Sequence, residues 1–459
     1  MNFSKQGGQA LILMIAFTLI LSVAFIYLFN TSQVLAERTQ AKVLADHAAY
    51  NTAVKQAQLL NANAYMNKAK IANQLATAQA VSVASWVKHF EPMPQNTKHI
   101  SLIPYVGPDI QEAITTTAKN LQPLAETSGP YVVANNAATY SISLQQNLLN
   151  TSSIEAIEQV HGDTLSKSSI GSGFESTPMI TASKYVFIPS GNRSGNSFIQ
   201  HYAGNSNDPY IGRQRLKRPL LASRDNFTRK RRADNTTDFR IPLIRNKLQR
   251  RGGTEISTDL NQWKGVDTFS HHYRKLKRWR WRKIEDQIGY GSAVSRVDGG
   301  DSDRDNHVGY DNARKNKDAS RLSVNFRPKW DSRSSNSLSR GETGIPQFWD
   351  LDAKFLKPLS VEDPTLPISI RVRKSANKLD TTSGISKFKV GDTLNIESKN
   401  TVTAVSTAEV YFERPLQDRQ GRNTYLNKNK LEKGSLFNPY WSVRLTDNSR
   451  ESIIEARAR

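Results

Sequence analysis

The chain has 459 residues, with 63 Lys and Arg against 41 Asp and Glu, and a formal net charge of +22. Only 37% of the residues are hydrophobic, which excludes a multi-span membrane protein, since each span needs about 20 apolar residues, while the length calls for two or more folded units. The absence of Cys removes disulfides, thiolate zinc sites and cysteine nucleophiles from consideration.

The first element is a membrane segment. Ala10 to Phe29 is twenty residues without a charge, long enough at helical rise to cross about 30 Å of hydrocarbon. Two processed forms compete with an uncleaved anchor. A secretory signal would be cut after Val34-Leu35-Ala36, but its apolar region is ordinarily only about 7–15 residues. A prepilin-type signal would be cut near Gly7-Gly8, but Leu13 stands where pilins carry Glu. The uncleaved anchor is the first choice. Lys5 precedes the span, and the next cation, Arg38, follows Glu37. The positive-inside rule then puts the N-terminus in the cytoplasm and the rest of the chain outside it.

A long helix is expected next. Thr31 to Glu91 has neither Gly nor Pro and holds fifteen Ala, and Pro92 and Pro94 end the run. Joined to the span, this predicts a single rod from Gln9 to Phe90, about 120 Å long, with Asn30 and Asn61–Asn63 as candidate breaks. Ala41, Ala45, Ala49, Ala53 and Ala57 recur every four residues, as do Ala72, Ala76, Ala80 and Ala84. Such ladders let another helix approach closely. The partner is left open between the chain's own downstream domain and helices of other subunits.

These residues resemble the TadE/TadG-like proteins of tight-adherence (Flp) pilus systems. The resemblance rests on QALILMIAF followed by an Ala-rich helix, and on the run from Leu59 to Trp86 (LLNANAYMNKAKIANQLATAQAVSVASW). Three later stretches extend it: Gly344–Leu351 (GIPQFWDL), Ala408–Pro415 (AEVYFERP) and Ser435–Leu445 (SLFNPYWSVRL). It implies a structural protein in pilus assembly, with pilus-assembly or pilin-like subunits as partners through the N-terminal helix. Some relatives add a von Willebrand A-type domain with a D-x-S-x-S metal motif, which this sequence lacks.

The middle of the chain is less patterned. Ile110 to Leu124 suggests a short helix, whereas Tyr131-Val-Val and Tyr140-Ser-Ile-Ser-Leu suggest strands. Ser166 to Asp208 reads as loops and short strands. From Arg213 to Lys283 the sequence has 22 Lys/Arg and 6 Asp/Glu, so about three quarters of the net charge lies in 71 residues. Its last cluster, RKLKRWRWRK, alternates Arg278, Arg280 and Arg282 with Trp279 and Trp281. The favoured reading is a half-buried strand with Trp in the core and Arg in water. The competing one is a polyanion-binding surface. No known nucleic-acid module is recognisable, so no specific nucleic-acid partner is expected. Asp301, Asp303 and Asp305 have the spacing of a calcium loop, but Asn306 and Asn312 stand at its Gly and Glu positions, so a surface loop is the better reading.

After Gly344, alternating stretches at Pro367–Arg373, Lys387–Val390, Thr393–Ile396, Ala408–Phe412 and Trp441–Leu445 predict an antiparallel sheet or sandwich. In Phe437-Asn-Pro-Tyr-Trp441 the Asn-Pro pair reads as a turn and the aromatics as a core cap. Neither a P-loop, a G-x-S-x-G elbow nor H-E-x-x-H occurs. His271 and His272 are adjacent and so project to opposite faces of a strand, and Gly289-Tyr-Gly is too short for a dinucleotide fingerprint.

The expected fold is α+β: a transmembrane helix (1–30), an Ala-rich extracytoplasmic helix (31–91), a mixed region with long polar loops and the basic segment (92–343), and a β-rich block (344–459). The expected function is a membrane-anchored structural protein of pilus assembly in the bacterial inner membrane, with its large domain in the periplasm. The alternative is an envelope protein that binds an anionic polymer. No catalytic residue, metal or cofactor is expected.

Overall fold

The structure is a computed structural model that describes residues 7–102, 105–181, 187–189, 220–221, 223–231, 233–234, 240–241, 244–245, 247–256, 263–295, 336–337, 349–351, 365–375, 378–379, 401–413, 434, 436–450 and 453–454. The clusters 213–218 and 301–306 and the stretches 344–348, 387–390 and 393–396 lie outside the described residues.

α1 runs unbroken from Gly7 to Lys88, without a stop at Asn30 or Asn61. A short helix α2 (Met93–Asn96) and a 3-10 turn follow, and then α3 (Gly107–Lys167). The strands are β1 (Phe174–Thr181), β2 (Phe187–Pro189), β3 (Ala233–Asp234), β4 (Arg240–Ile241), β5 (Ile244–Arg245), β6 (Lys247–Ile256), β7 (Trp263–Lys277), β8 (Arg280–Val294), β9 (Asn336–Ser337), β10 (Trp349–Leu351), β11 (Leu366–Ser375), β12 (Thr401–Phe412) and β13 (Trp441–Thr446). A single helical turn, α4 (Asn226–Arg229), precedes β3. The class is α+β, as the sequence predicts.

α3 corrects two expectations. Neither Tyr131-Val-Val nor Tyr140–Leu144 is a strand; both lie within this helix of 61 residues, which also contains Pro123 and Pro130. Its buried stripe is Ala125, Ser128, Val132, Thr139, Gln146, Asn150, Ile157 and Leu165, spaced by threes, fours, sevens and an eight. That is a helical period, and polar side chains carry half of it. The apolar β-branched residues at 133 and 142 are not on the stripe, so local strand propensity points the wrong way.

The chain forms two compact units, each assembled from segments far apart in sequence. Unit one comprises Met1–Ala64, Leu148–Ile188 and Leu351–Arg459. Its antiparallel sheet has the order β1-β11-β12-β13. Ile368, Ile370 and Val372 of β11 are fully buried, and Ser369 and Arg371 on the opposite face are buried too. The side chains of α1 are tied to this sheet by Glu37–Lys374 (2.7 Å), by Asp46 accepting from Ser406 Oγ, and by Asn61, whose amide bonds both backbone groups of Trp441. Asn63 exchanges two side-chain hydrogen bonds with Asn150 of α3, at 2.7 and 2.9 Å. The Asn438–Trp441 region behaves as expected: Trp441 is buried and meets Phe412 edge-on, as does Tyr440.

Unit two comprises Tyr65–Asn147 and Pro189–Asp350. Its sheet has the order β3-β6-β7-β8-β9. Strand register places Arg250, Gly252 and Thr254 of β6, Gly265, Asp267 and Phe269 of β7, and Gly289, Gly291 and Ala293 of β8 on one face. This face is mostly small residues, and the last turns of α1 lie directly on it. A Cβ at Gly291 would stand 2.3 Å from the His89 nitrogen and 2.5 Å from the Ser85 carbonyl, and one at Gly289 would stand 2.3 Å from the His89 carbonyl. The glycines that fail as a dinucleotide fingerprint are therefore where helix backbone meets strand backbone.

Candidate functional site

Three places in the described residues gather polar, charged or exposed apolar chemistry. The first is the start of α1. Every residue from Ala10 to Phe29 is exposed except Ile26, which is half-buried; the other large side chains run from 44% exposed at Leu21 to 72% at Leu13. Eighteen apolar side chains in twenty residues, turned outward around a whole helix, would be unstable in water at about 25 cal/mol per Å² of apolar surface, and are at home in hydrocarbon. The segment's hydroxyls are internally satisfied, as that medium requires. Thr18 donates to the Met14 carbonyl (2.9 Å) and Ser22 to the Thr18 carbonyl (2.7 Å). This helix has the length and composition to cross a membrane.

The Ala ladder follows immediately. Ala41, Ala45, Ala49 and Ala53 are fully buried and Ala57 nearly so. They lie on the ridge that begins at Glu37 and ends at Asn61, the two residues bonded to β11 and β13. The ladder is thus covered by elements of unit one, the first of the two partners its spacing allowed. The side chains that fasten it, Glu37, Asp46 and Asn61, are not deducible from the Ala pattern.

The second place is a closed polar hub in unit two. Arg231 Nε donates to both oxygens of Asp267 (2.8 and 3.0 Å), and the side chains are 2% and 0% exposed. The same guanidinium reaches Ser85 Oγ, Thr254 Oγ1 and the Phe227 carbonyl. Ser85 also donates to Asp267 (2.8 Å), and the Ser82 and Thr254 hydroxyls are hydrogen-bonded at 2.6 Å. His89 is buried beside the hub, with its Nδ1 bonded to the Trp86 carbonyl, and burial pushes its pKa down to about 4. Although Ser, His and Asp come close here, Ser85 is bonded to Asp267 and Arg231 rather than to His89. The arrangement locks α1, α4 and the sheet together and lacks the nucleophile–base bond of a hydrolytic triad. Among the described residues no group of His, Cys, Asp or Glu could hold a metal ion.

A related seam joins α1 to α3 within this unit. Gln146 takes a bond from Lys70 Nζ (2.5 Å) and gives one to Asn67. Asn73 bonds Thr139, and Asn135 bonds Thr77. Lys70 is almost fully buried there, and desolvation lowers its pKa to about 7.

The third place is the tip of the β7–β8 hairpin. Here the favoured sequence reading is overturned. Arg278 and Trp279 are the two turn residues, with φ of 51° and 60°, so Trp279 is not in a strand and does not share a strand face with Trp281. Neither Trp is in a core: Trp279 is 94% exposed and Trp281 54% exposed. Arg280 and Arg282 are exposed on β8. Register puts Trp281 opposite Leu276, itself half exposed, a residue the sequence reading passes over because the hairpin turn is not legible. Two-residue hairpin turns with positive φ at both positions favour Asn-Gly, and Arg-Trp carries no such signal.

No curated protein and no solved structure matches this chain. The Tad family model, described as "Putative Flp pilus-assembly TadE/G-like", matches residues 8–54. That range takes in the exposed apolar segment, the Glu37 anchor point and most of the Ala ladder, so over these residues the chain is similar to the TadE/G-like family.

Proposed function

We propose that the protein is a single-pass, membrane-anchored structural component of a tight-adherence (Flp) type pilus system. Its N-terminus would be cytoplasmic and its two folded units periplasmic. The observation that carries this reading is that the segment matching the family model contains the twenty-residue apolar stretch exposed around the helix. The single cation before the span, Lys5, supports the orientation. With the ladder occupied by unit one, contacts with other pilus-assembly subunits through the N-terminal helix would fall on the apolar segment, where close-packed helices associate in lipid. Mechanical assembly rather than catalysis suits a chain whose best-formed polar cluster is closed on itself.

The absence of native Cys makes the topology directly testable. In cells whose outer membrane is permeabilised, a membrane-impermeant maleimide should label Tyr105→Cys, at a position 97% exposed, and leave Asn2→Cys unlabelled until the inner membrane is lysed. The reverse pattern, or labelling of both before lysis, would overturn the orientation.

A further inference from the structure

We propose that the tip of the β7–β8 hairpin is a docking element for an anionic lipid bilayer. β6 stops pairing at Lys247↔His272, while β7 and β8 continue through five further pairs, from Tyr273↔Ile284 to Lys277↔Arg280. Among the described residues no other strand is hydrogen-bonded to these five pairs. At strand rise these five pairs form a ribbon that reaches about 17 Å beyond the last β6–β7 pair, with β5 packed against β7.

Charge is sorted along this ribbon. From Arg274 to Lys283 seven of ten residues are Lys or Arg, and none is acidic. The nearest acids, Glu285 and Asp286, pair with His272 and His271 at the ribbon's base, and Asp286 is hydrogen-bonded to Tyr273. The ribbon's two faces also differ. Register sets Lys275 opposite Arg282 and Lys277 opposite Arg280, and the Arg280 and Arg282 side chains are exposed. The other face carries the exposed Leu276–Trp281 pair, with exposed Arg274 behind it. At the apex, Trp279 is almost wholly exposed in a left-handed conformation that strongly favours Gly or Asn. A sequence selected for hairpin stability alone would not place Arg-Trp there.

Many cations with no acid attract an anionic partner. The apolar groups decide which one. A single-stranded nucleic acid is held in a groove whose aromatic faces stack bases; this surface is a protruding tip, and Leu276 has nothing to offer a base, a phosphate or a sugar ring. An indole and an aliphatic side chain on a convex tip, ringed by Lys and Arg, suit the headgroup layer of a bilayer, where Trp settles at the interface and cations meet anionic headgroups. The proposal does not depend on the pilus reading, because it concerns a different part of the chain and needs only a bilayer.

The test uses the full chain in phosphatidylcholine nanodiscs, so that its apolar helix is already housed. Vesicles of phosphatidylglycerol and phosphatidylcholine, or of phosphatidylcholine alone, are added and co-flotation is measured. The anionic vesicles should carry the nanodiscs up, and 0.5 M salt should release them. The triple variant Arg278→Gln/Arg280→Gln/Arg282→Gln should lose about a hundredfold in partitioning, at roughly fivefold for each cation. The double variant Arg278→Asn/Trp279→Gly supplies a turn pair suited to the geometry, so it should melt no lower than the parent and yet lose flotation. Retention on heparin or single-stranded DNA without vesicle binding would overturn the lipid assignment in favour of an anionic polymer. Equal flotation with neutral vesicles, or flotation unchanged in the Asn-Gly variant, would overturn the role of the tip. None of these outcomes bears on topology or pilus assembly, so the two readings fail separately.

Discussion

α1 contains two stretches that differ in what they bury. Between Ala10 and Phe29 the side chains are almost all apolar and almost all exposed; between Thr52 and Ser85, polar Asn63, Asn67, Thr77, Ser82 and Ser85 are buried to 0% beside Leu60, Ala64, Val81 and Ala84. Within one continuous helix, the first stretch has the length and composition to cross a membrane, and apolar packing alone does not account for the second. The first stretch needs only a medium, because its backbone and hydroxyls are satisfied along the helix itself. The second needs specific partners, because each buried amide or hydroxyl left unbonded costs roughly 1–3 kcal/mol. One half of α1 is generic and the other is specified residue by residue.

The contrast can be broken most severely in its first half. Ile15→Arg combined with Leu19→Arg places two charges near the middle of the apolar stretch, at about 2.5–3.5 kcal/mol each. The protein should move from the carbonate-resistant to the carbonate-extractable membrane fraction, while the units' melting transition in detergent stays put. A change in that transition would show that the stretch packs on protein after all.

The second half is most vulnerable at the hub. Asp267→Ala strands the Arg231 guanidinium inside the sheet–helix contact and should cost about 3–5 kcal/mol. A drop in melting temperature of the full chain, with membrane retention unchanged, is expected. A loss under 1 kcal/mol would mean that the ion pair is not closed as described.

The smallest effect is in the α1–α3 seam. The folded-state pKa of Lys70 is depressed to about 7 from 10.5. Between those values the unfolded chain binds a proton that the folded one does not, so stability rises with pH from about 7 toward 10. The climb should be on the order of 2 kcal/mol and should flatten in Lys70→Met, which is expected to be the more stable at pH 7. A parallel climb in the variant would assign the titration to another group.

The same contrast explains what the sequence disclosed. α1 was legible because a run free of Gly and Pro, rich in Ala and headed by a twenty-residue apolar stretch has few alternatives, and β11, β12 and β13 because their alternation is clean. α3 was not, because Ser128, Thr139, Gln146 and Asn150 make its buried stripe look like surface until Asn67, Lys70 and Asn63 are seen to meet it. The strand face of Gly252, Gly265, Gly289 and Gly291 was equally silent, since a missing side chain says nothing about what fills the space. At the hairpin tip the sequence marks the residues but not their setting, because Arg-Trp does not announce a turn.

The partnership between Glu37 and Lys374 spans 337 positions of sequence. At about 5–20 residues per second, synthesis separates the two by roughly 17–67 seconds. Through that interval the ridge from Ala41 to Ala57 has been made and its covering strands have not. Biogenesis therefore includes a stage in which the ladder is bare, and its small side chains must be kept from premature association until β11 to β13 arrive.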